Sequence, residues 1–343
     1  MRAAGERVVW AAGLAVGCVE AATGAVLWRA HADEGVRARP LPQRLPDPGW
    51  VRCRADEDTV CVVVPSADGS PKRLVAREPA DGRVRWWRDL PVKGVPEPVG
   101  DLVLYLAGEE LVALAKEDGE AVWRQPAPPR ARVRGAAGDC LLVEAGDQLL
   151  ALHLSGGEPL WSWPRRYRSG VRGAPDVAAG LVHVLDGGVV RALDRVNGYQ
   201  VWRFAPGAPA SWPLLHDGVV YVTTYRSPAA GDLVYALDAR SGAKLWERPV
   251  ARRVSPGRAL EPLGVRGGVL YLRSREGSRK GLLGRMAGEG RTGLPFLVGM
   301  DLASGRTSRL WERAEVASCD VVLARDTLVM ALPSLTGIGL PLL

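Results

Sequence analysis

Three observations in the 343-residue sequence predict an all-β fold made of repeated four-stranded antiparallel units. One short pattern recurs at intervals of about 40 residues: small residue, apolar residue, Asp, three loose residues, Gly, three residues, Trp. Alternating apolar runs precede each copy, such as 181–185 and 189–193, and hairpin signals such as Asp186-Gly187-Gly188 split them. No window sustains the roughly 3.6-residue period of a helix.

The copies begin, in order, at Cys18, Ala76, Ala113, Ala151, Ala192, Ala236 and Gly299. They end at Trp28, Trp86, Trp123, Trp161, Trp202, Trp246 and Trp311. The clearest read ALDRVNGYQVW and ALDARSGAKLW, with Asp194 and Asp238 in the acid place, and Asp301 is the acid of the seventh copy. That copy carries two extra residues before Trp311, an even number that keeps side-chain parity along a strand. An eighth block, 331–341, has Pro341 in the Trp place. Within a unit, strands A and B come first, strand C ends at the Asp position and strand D carries the Trp. The Asp oxygen accepts turn amides, and Gly supplies the positive φ of the tight C–D turn.

One such sheet cannot bury both faces alone. Radial stacking of copies does so and leaves only short edges, which is the β-propeller solution. A Trp at a fixed place in each outer strand then lies between neighbouring blades. Its burial is worth about 4–6 kcal/mol as an upper bound.

The pattern resembles the pyrroloquinoline-quinone-like propeller repeat, and the resemblance covers essentially the whole chain. It implies one propeller domain over 1–343, with eight blades when B–D blocks are counted, or seven. Strand A of the first blade is expected to be missing or reduced to residues 1–5, and 338–343 to form the last outer strand. Long loops are expected at 31–50, rich in proline, and at 274–293, rich in Gly and Arg. The resemblance is specific for fold and poor for function, because one scaffold hosts many jobs. Its relatives include quinoprotein dehydrogenases, the assembly lipoprotein BamB and sensor domains of bacterial Ser/Thr kinases.

The quinone-dependent enzymes of that superfamily use a vicinal disulfide and a calcium ion held by Glu, Asn and Asp. This chain has no adjacent cysteines, and its single asparagine, Asn197, falls in a C–D turn. No catalytic, cofactor-binding or metal-binding residue is therefore expected, and no cofactor. The string Gly288-Glu289-Gly290-Arg291-Thr292-Gly293 matches a dinucleotide fingerprint but lacks a leading strand, and Leu294-Pro295 blocks a following helix. The four histidines are far apart in sequence.

Five cysteines with no Cys-x-x-Cys suit a reducing compartment, so a cytoplasmic location is expected. Cys53 and Cys61 flank one tight turn and read as two buried thiols rather than a disulfide. The rival location is extracytoplasmic, with 1–17 as a lipoprotein signal and Cys18 as the lipidated residue. Register favours strands instead, since Cys18 occupies the small-residue position of the first repeat. No apolar run reaches the roughly 18–20 residues of a membrane span.

Charge carries the remaining signal. The net charge is +7, yet the segments between each Trp and the next strand A carry 21 bases and 9 acids. These segments share one face of a propeller. The candidate partner-binding residues are Arg130, Arg132 and Arg134; Arg165, Arg166, Arg168 and Arg172; Arg252, Arg253 and Arg258; and Arg279 and Lys280 in the second long loop. A one-signed face attracts an anionic partner. Few aromatics lie among these bases, so a protein or peptide is expected rather than nucleic acid. The reading is a non-catalytic binding or scaffold propeller. The alternatives are a BamB-like lipid-anchored envelope assembly factor and a sensor domain related to those of the bacterial kinases.

Overall fold

The computed structural model describes residues 2–4, 6–12, 14–32, 34–35, 51–64, 72–164, 176–178, 180–225, 232–250, 260–274, 296–312, 320–324, 327–331 and 337–341. Every regular element among them is a strand, and no helix is long and apolar enough to cross a membrane. The strands form eight antiparallel sheets, seven of four strands and one of three.

Sheet 1 holds β1 (Arg2–Ala4), β2 (Arg7–Ala12), β3 (Ala15–Glu20) and β4 (Val26–His31). Sheet 2 holds β5 (Arg52–Ala55), β6 (Val60–Val64), β7 (Lys72–Arg77) and β8 (Val84–Leu90). Sheet 3 holds β9 (Val92–Val99), β10 (Leu102–Ala107), β11 (Glu110–Ala115) and β12 (Ala121–Pro126). Sheet 4 holds β13 (Arg132–Ala137), β14 (Cys140–Ala145), β15 (Gln148–His153) and β16 (Pro159–Pro164). Sheet 5 holds β17 (Asp176–Ala178), β18 (Leu181–Asp186), β19 (Val189–Asp194) and β20 (Gln200–Phe204). Sheet 6 holds β21 (Leu214–His216), β22 (Val219–Tyr225), β23 (Asp232–Asp238) and β24 (Lys244–Pro249). Sheet 7 holds β25 (Leu260–Arg266), β26 (Val269–Ser274), β27 (Phe296–Asp301) and β28 (Thr307–Glu312). Sheet 8 holds β29 (Asp320–Ala324), β30 (Thr327–Ala331) and β31 (Gly337–Pro341). Strand A of the first blade is thus the three-residue β1. Most of the expected long loops, 36–50 and 275–293, lies outside the described residues.

The chain divides into two compact units. Met1–Ser162 with Asp320–Leu343 makes the first, and Trp163–Cys319 the second. In the first unit β1, β5, β9 and β13 contact one another in succession, and β29 lies beside β1. In the second, β17, β21 and β25 do the same.

Within each unit the core lies between neighbouring sheets: 1 and 2, 2 and 3, and 3 and 4 in the first, and 5 and 6, and 6 and 7 in the second. On β6 the side chains of Val60, Val62 and Val64 face sheet 1, and those of Cys61 and Val63 face sheet 3. Side chains alternate across a strand, so an unbroken apolar run is what a strand with two buried faces requires. The same alternation separates Cys53, packed toward sheet 1, from Cys61. Both are buried and outside any disulfide, and opposite faces of one sheet cannot be bridged. Cys18 lies in the middle of β3, fully buried, and its thiol is pushed up to about 11 by desolvation.

Each sheet repeats one local device. In sheets 1, 2, 3, 5 and 6 the Trp pairs with the small residue of the motif: Cys18 with Trp28, Ala76 with Trp86, Ala113 with Trp123, Ala192 with Trp202 and Ala236 with Trp246. The residue before the Trp is the extra one of a β-bulge, since Val19 pairs with Val26 and skips Leu27. The small partner leaves room for the indole, and the bulge turns the skipped side chain outward. Leu27, Val122, Val201, Leu245 and Leu310 are accordingly 43–54% exposed. In sheet 7 the two extra residues slide Trp311 to Leu297, two positions from Gly299 on the same face, so parity is kept.

The indole then crosses to the next sheet. Trp28 Nε1–H donates to Pro79 O (2.9 Å), Trp86 to Lys116 O (2.9 Å), Trp123 to Leu154 O (2.9 Å) and Trp202 to Ala239 O (3.1 Å). Each ring covers the turn glycine three residues beyond its acceptor. A Cβ on Gly82 would stand 2.6 Å from the Trp28 ring, and one on Gly119 2.6 Å from the Trp86 ring. Gly24 has the same left-handed φ, +72° against +75° for Gly82, but a Cβ there meets no described atom within 4 Å. The repeat whose indole would serve Gly24 carries Pro341 instead.

These two positions separate backbone strain from crowding. Gly24→Ala is expected to cost about 1–2 kcal/mol for the left-handed conformation alone. Gly82→Ala adds the collision with Trp28, about 1–3 kcal/mol more. Urea unfolding of the two variants checks the difference, and equal losses would show that the ring does not hold the turn.

Candidate partner-binding surface

The connection from sheet 3 to sheet 4 is the part of the expected basic surface that lies among the described residues. β12 ends at Pro126, and the turn 128–131 closes with Ala131 N–H donating to Pro128 O (3.1 Å). Arg130 sits in this turn at φ +63°, a left-handed conformation costing a non-glycine residue about 1–2 kcal/mol. Such strained residues concentrate at functional sites. Arg130 is exposed, as is Arg132 at the first position of β13. Arg124 is exposed and 3.6 Å from Glu110, a surface pair of little worth.

Arg134 differs. Its Nε donates to Glu144 Oε2 at 2.7 Å, and Nη2 reaches the same oxygen. Both side chains are nearly enclosed, 13% and 11% exposed. Arg134 lies within β13 rather than on the connecting segment, and its charge is neutralised there. Arg165, Arg166, Arg168, Arg172, Arg252, Arg253, Arg258, Arg279 and Lys280 lie outside the described residues.

The first strands β5 and β25 also carry paired charges. Arg54 Nε on β5 is 3.0 Å from Glu97 Oε2 on β9, and Arg273 on β26 is 3.2 Å from Glu261 on β25. The signal was present as the alternation Arg52-Cys53-Arg54 and Arg132-Val133-Arg134, which places two arginines on one face of each strand.

The C–D turns carry the opposite charge. Asp194 Oδ1 accepts from the amides of Val196 (2.9 Å) and Asn197 (3.0 Å). Asp238 Oδ1 accepts from the Ser241 hydroxyl (2.6 Å) and amide (2.7 Å), and Asp301 binds Ser304 in the same way. Those hydroxyl bonds first, and the amides second, hold both carboxyls below the usual range. Glu78 is likewise lowered, chiefly by its two hydrogen bonds from Arg85. The three aspartates of the motif are therefore occupied in shaping turns.

A second inter-sheet anchor sits two residues beyond the Trp. Arg88 donates to Gly119 O (3.3 Å) and Asp118 O (3.2 Å), Gln125 to Gly156 O (3.4 Å) and Arg248 to Leu302 O (2.7 Å). Arg248 also lies 4.6 Å over the Trp246 ring. In sheet 6 the Arg248 side chain thus covers Gly305, with its Cδ 2.9 Å from where a Cβ would be and Nε 3.3 Å, and Trp246 remains partly exposed. His183 is fully buried, and its Nε2 lies 2.9 Å from Ala239 O, the acceptor of Trp202. A carbonyl only accepts, so Nε2 carries the proton and the histidine is structural. Among the described residues no group of three His, Cys, Asp or Glu side chains could hold a metal ion.

None of the curated proteins matches the chain. Solved structures do. BamB from Moraxella catarrhalis is 16% identical, with a TM-score of 0.59 over 96% of this chain and 93% of that one. The computationally designed Ika8 protein is 12% identical, with a TM-score of 0.64 over 99% and 95%. Quinohemoprotein alcohol dehydrogenase from Comamonas testosteroni is 13% identical, with a TM-score of 0.53 over 97% of this chain and 69% of that one. At these identities the likeness shows fold alone, and the fold is the β-propeller. Sequence goes further: residues 11–140 and 107–337 match the family described as outer membrane protein assembly factor BamB, and to that family this chain belongs.

Proposed function

We propose that this chain is a non-catalytic binding propeller that docks an anionic protein or peptide on the face formed by the segments after each Trp. The observation that carries the reading is the 124–135 connection. It has four arginines and no acid, and it holds exposed Arg130 in a strained backbone conformation next to exposed Arg132. Strands on both sides fix the backbone that carries the two arginines, and a guanidinium suits bidentate capture of carboxylates. Membership of a family described by assembly of outer membrane proteins supports a protein partner. It also favours a second reading, an envelope assembly factor working outside the cytoplasm. Burial of Cys18 within β3 weighs against that residue as a lipid anchor, and the docking mechanism is the same in either compartment.

The test replaces Arg130, Arg132, Arg165 and Arg166 with Ser and compares partner capture in a pull-down at low and moderate salt. Partners held by the native chain at low salt are expected to be lost in the variant, and weakened by salt in the native chain. Unchanged capture without salt dependence would remove the electrostatic face.

A further inference from the structure

We propose that the opening ends of β5 and β13 form a specific subsite for an acidic peptide, with Arg52 and Arg132 as its two carboxylate receptors. This rests on the docking reading above and names the residues at its centre.

The two strands carry the same device. Each opens with Arg-x-Arg, whose arginines share a face. In each the inner arginine is neutralised, Arg54 by Glu97 and Arg134 by Glu144. In each the outer arginine is exposed, and no described carboxylate lies within ion-pair distance of it. The inner pairs fix the frame: Arg54–Glu97 ties β5 to β9, and Arg134–Glu144 ties β13 to β14. The strand is thus held two residues inside each exposed guanidinium before any ligand arrives.

The strands between and beside them agree. β9 touches both β5 and β13, and β1 touches β5. β9 has Lys93 at its second position, and β1 opens on Arg2. Four consecutive strands of the first unit therefore each carry a base at their first or second place. In the second unit β17, β21 and β25 open with Asp176-Val177, Leu214-Leu215 and Leu260-Glu261. The D–A connections lead into these same strand ends, so the collar continues the basic surface around Arg130. An extended segment rich in Asp and Glu matches it in charge. The guanidinium fork suits planar carboxylates bidentately, and among the described residues no exposed aromatic stands beside Arg52, Arg130 or Arg132 in the sequence, which disfavours nucleobases.

The probe is fluorescein-labelled octaglutamate, followed by anisotropy with the full chain at low and moderate salt. The Arg52→Gln, Arg132→Gln double variant is expected to bind it at least tenfold more weakly than the native chain. Arg203→Gln, an exposed arginine of the second unit, is expected to stay within twofold. Native affinity in the double variant overturns the subsite. If that result comes with loss of binding in an Arg130→Ser, Arg165→Ser, Arg166→Ser variant, the broader docking face stands while the subsite falls. Failure of the native chain to bind octaglutamate overturns both. An eight-residue oligothymidylate that binds more tightly than octaglutamate, and through Arg52 and Arg132, overturns the peptide assignment.

Discussion

Replacing Trp86 with alanine is expected to cost about 3–5 kcal/mol of stability, the range for removing a large aromatic from a packed site. Trp86 is buried between sheets 2 and 3 among Cys61, Leu74, Val103 and Val112. Its Nε1–H satisfies Lys116 O, and its ring covers Gly119. Alanine leaves the carbonyl without its donor and empties the space over a turn that cannot close, because β11 and β12 are already paired on either side of it. Trp86→Phe keeps most of the apolar contact and loses the hydrogen bond, an expected cost of about 1–2 kcal/mol. Trp246→Ala should cost less than Trp86→Ala, because Trp246 is partly exposed and Arg248 already covers part of its ring. Urea unfolding midpoints of the three variants rank these expectations. A loss at Trp86 no larger than at Trp246 would mean that the indoles do not hold neighbouring sheets together.

The repeat was legible because it is local and periodic. Strand C stops at Asp194, Asp238 and Asp301 where the motif places it, and the side chains of Trp28, Trp86, Trp123 and Trp202 lie between sheets. The bulge before each Trp was not legible, since an exposed apolar residue such as Val122 reads as an ordinary outer-strand residue until the register is known. Arg88, Gln125 and Arg248 were also missed, because their partners are backbone carbonyls about 30 or more residues away, and carbonyls leave no mark in a sequence. On the basic surface, counting charges could not tell Arg132, exposed at a strand end, from Arg134, two residues on and paired with Glu144. That distinction depends on which side chain points at a carboxylate across the sheet.

Arg77 shows how a departure from the repeat becomes a structural commitment. Its place in the motif is apolar elsewhere: Val19, Leu114, Leu152, Leu193, Leu237 and Met300. Arg77 is only 2% exposed, so its guanidinium needs local acceptors in place of water. Nη1 donates to Gly82 O (2.9 Å) in its own C–D turn. Nη2 reaches His31 O (3.1 Å), Ala32 O (3.2 Å) and Glu34 O (2.6 Å) at the end of β4. One buried cation thus joins the turn of sheet 2 to the root of the proline-rich connection that leaves sheet 1. Arg77→Leu restores the usual residue of the repeat, and on hydrophobicity alone it would stabilise. We expect it to destabilise by about 2–4 kcal/mol, because several carbonyls lose a charged donor at once in a buried place. Arg77→Lys should fall between, since a compact ammonium cannot span both the turn and the root. Urea unfolding measures the loss, and limited proteolysis reads the local effect as faster cleavage near Arg37 and Arg39. Native stability with native cleavage in Arg77→Leu would show that the connection is held by other contacts.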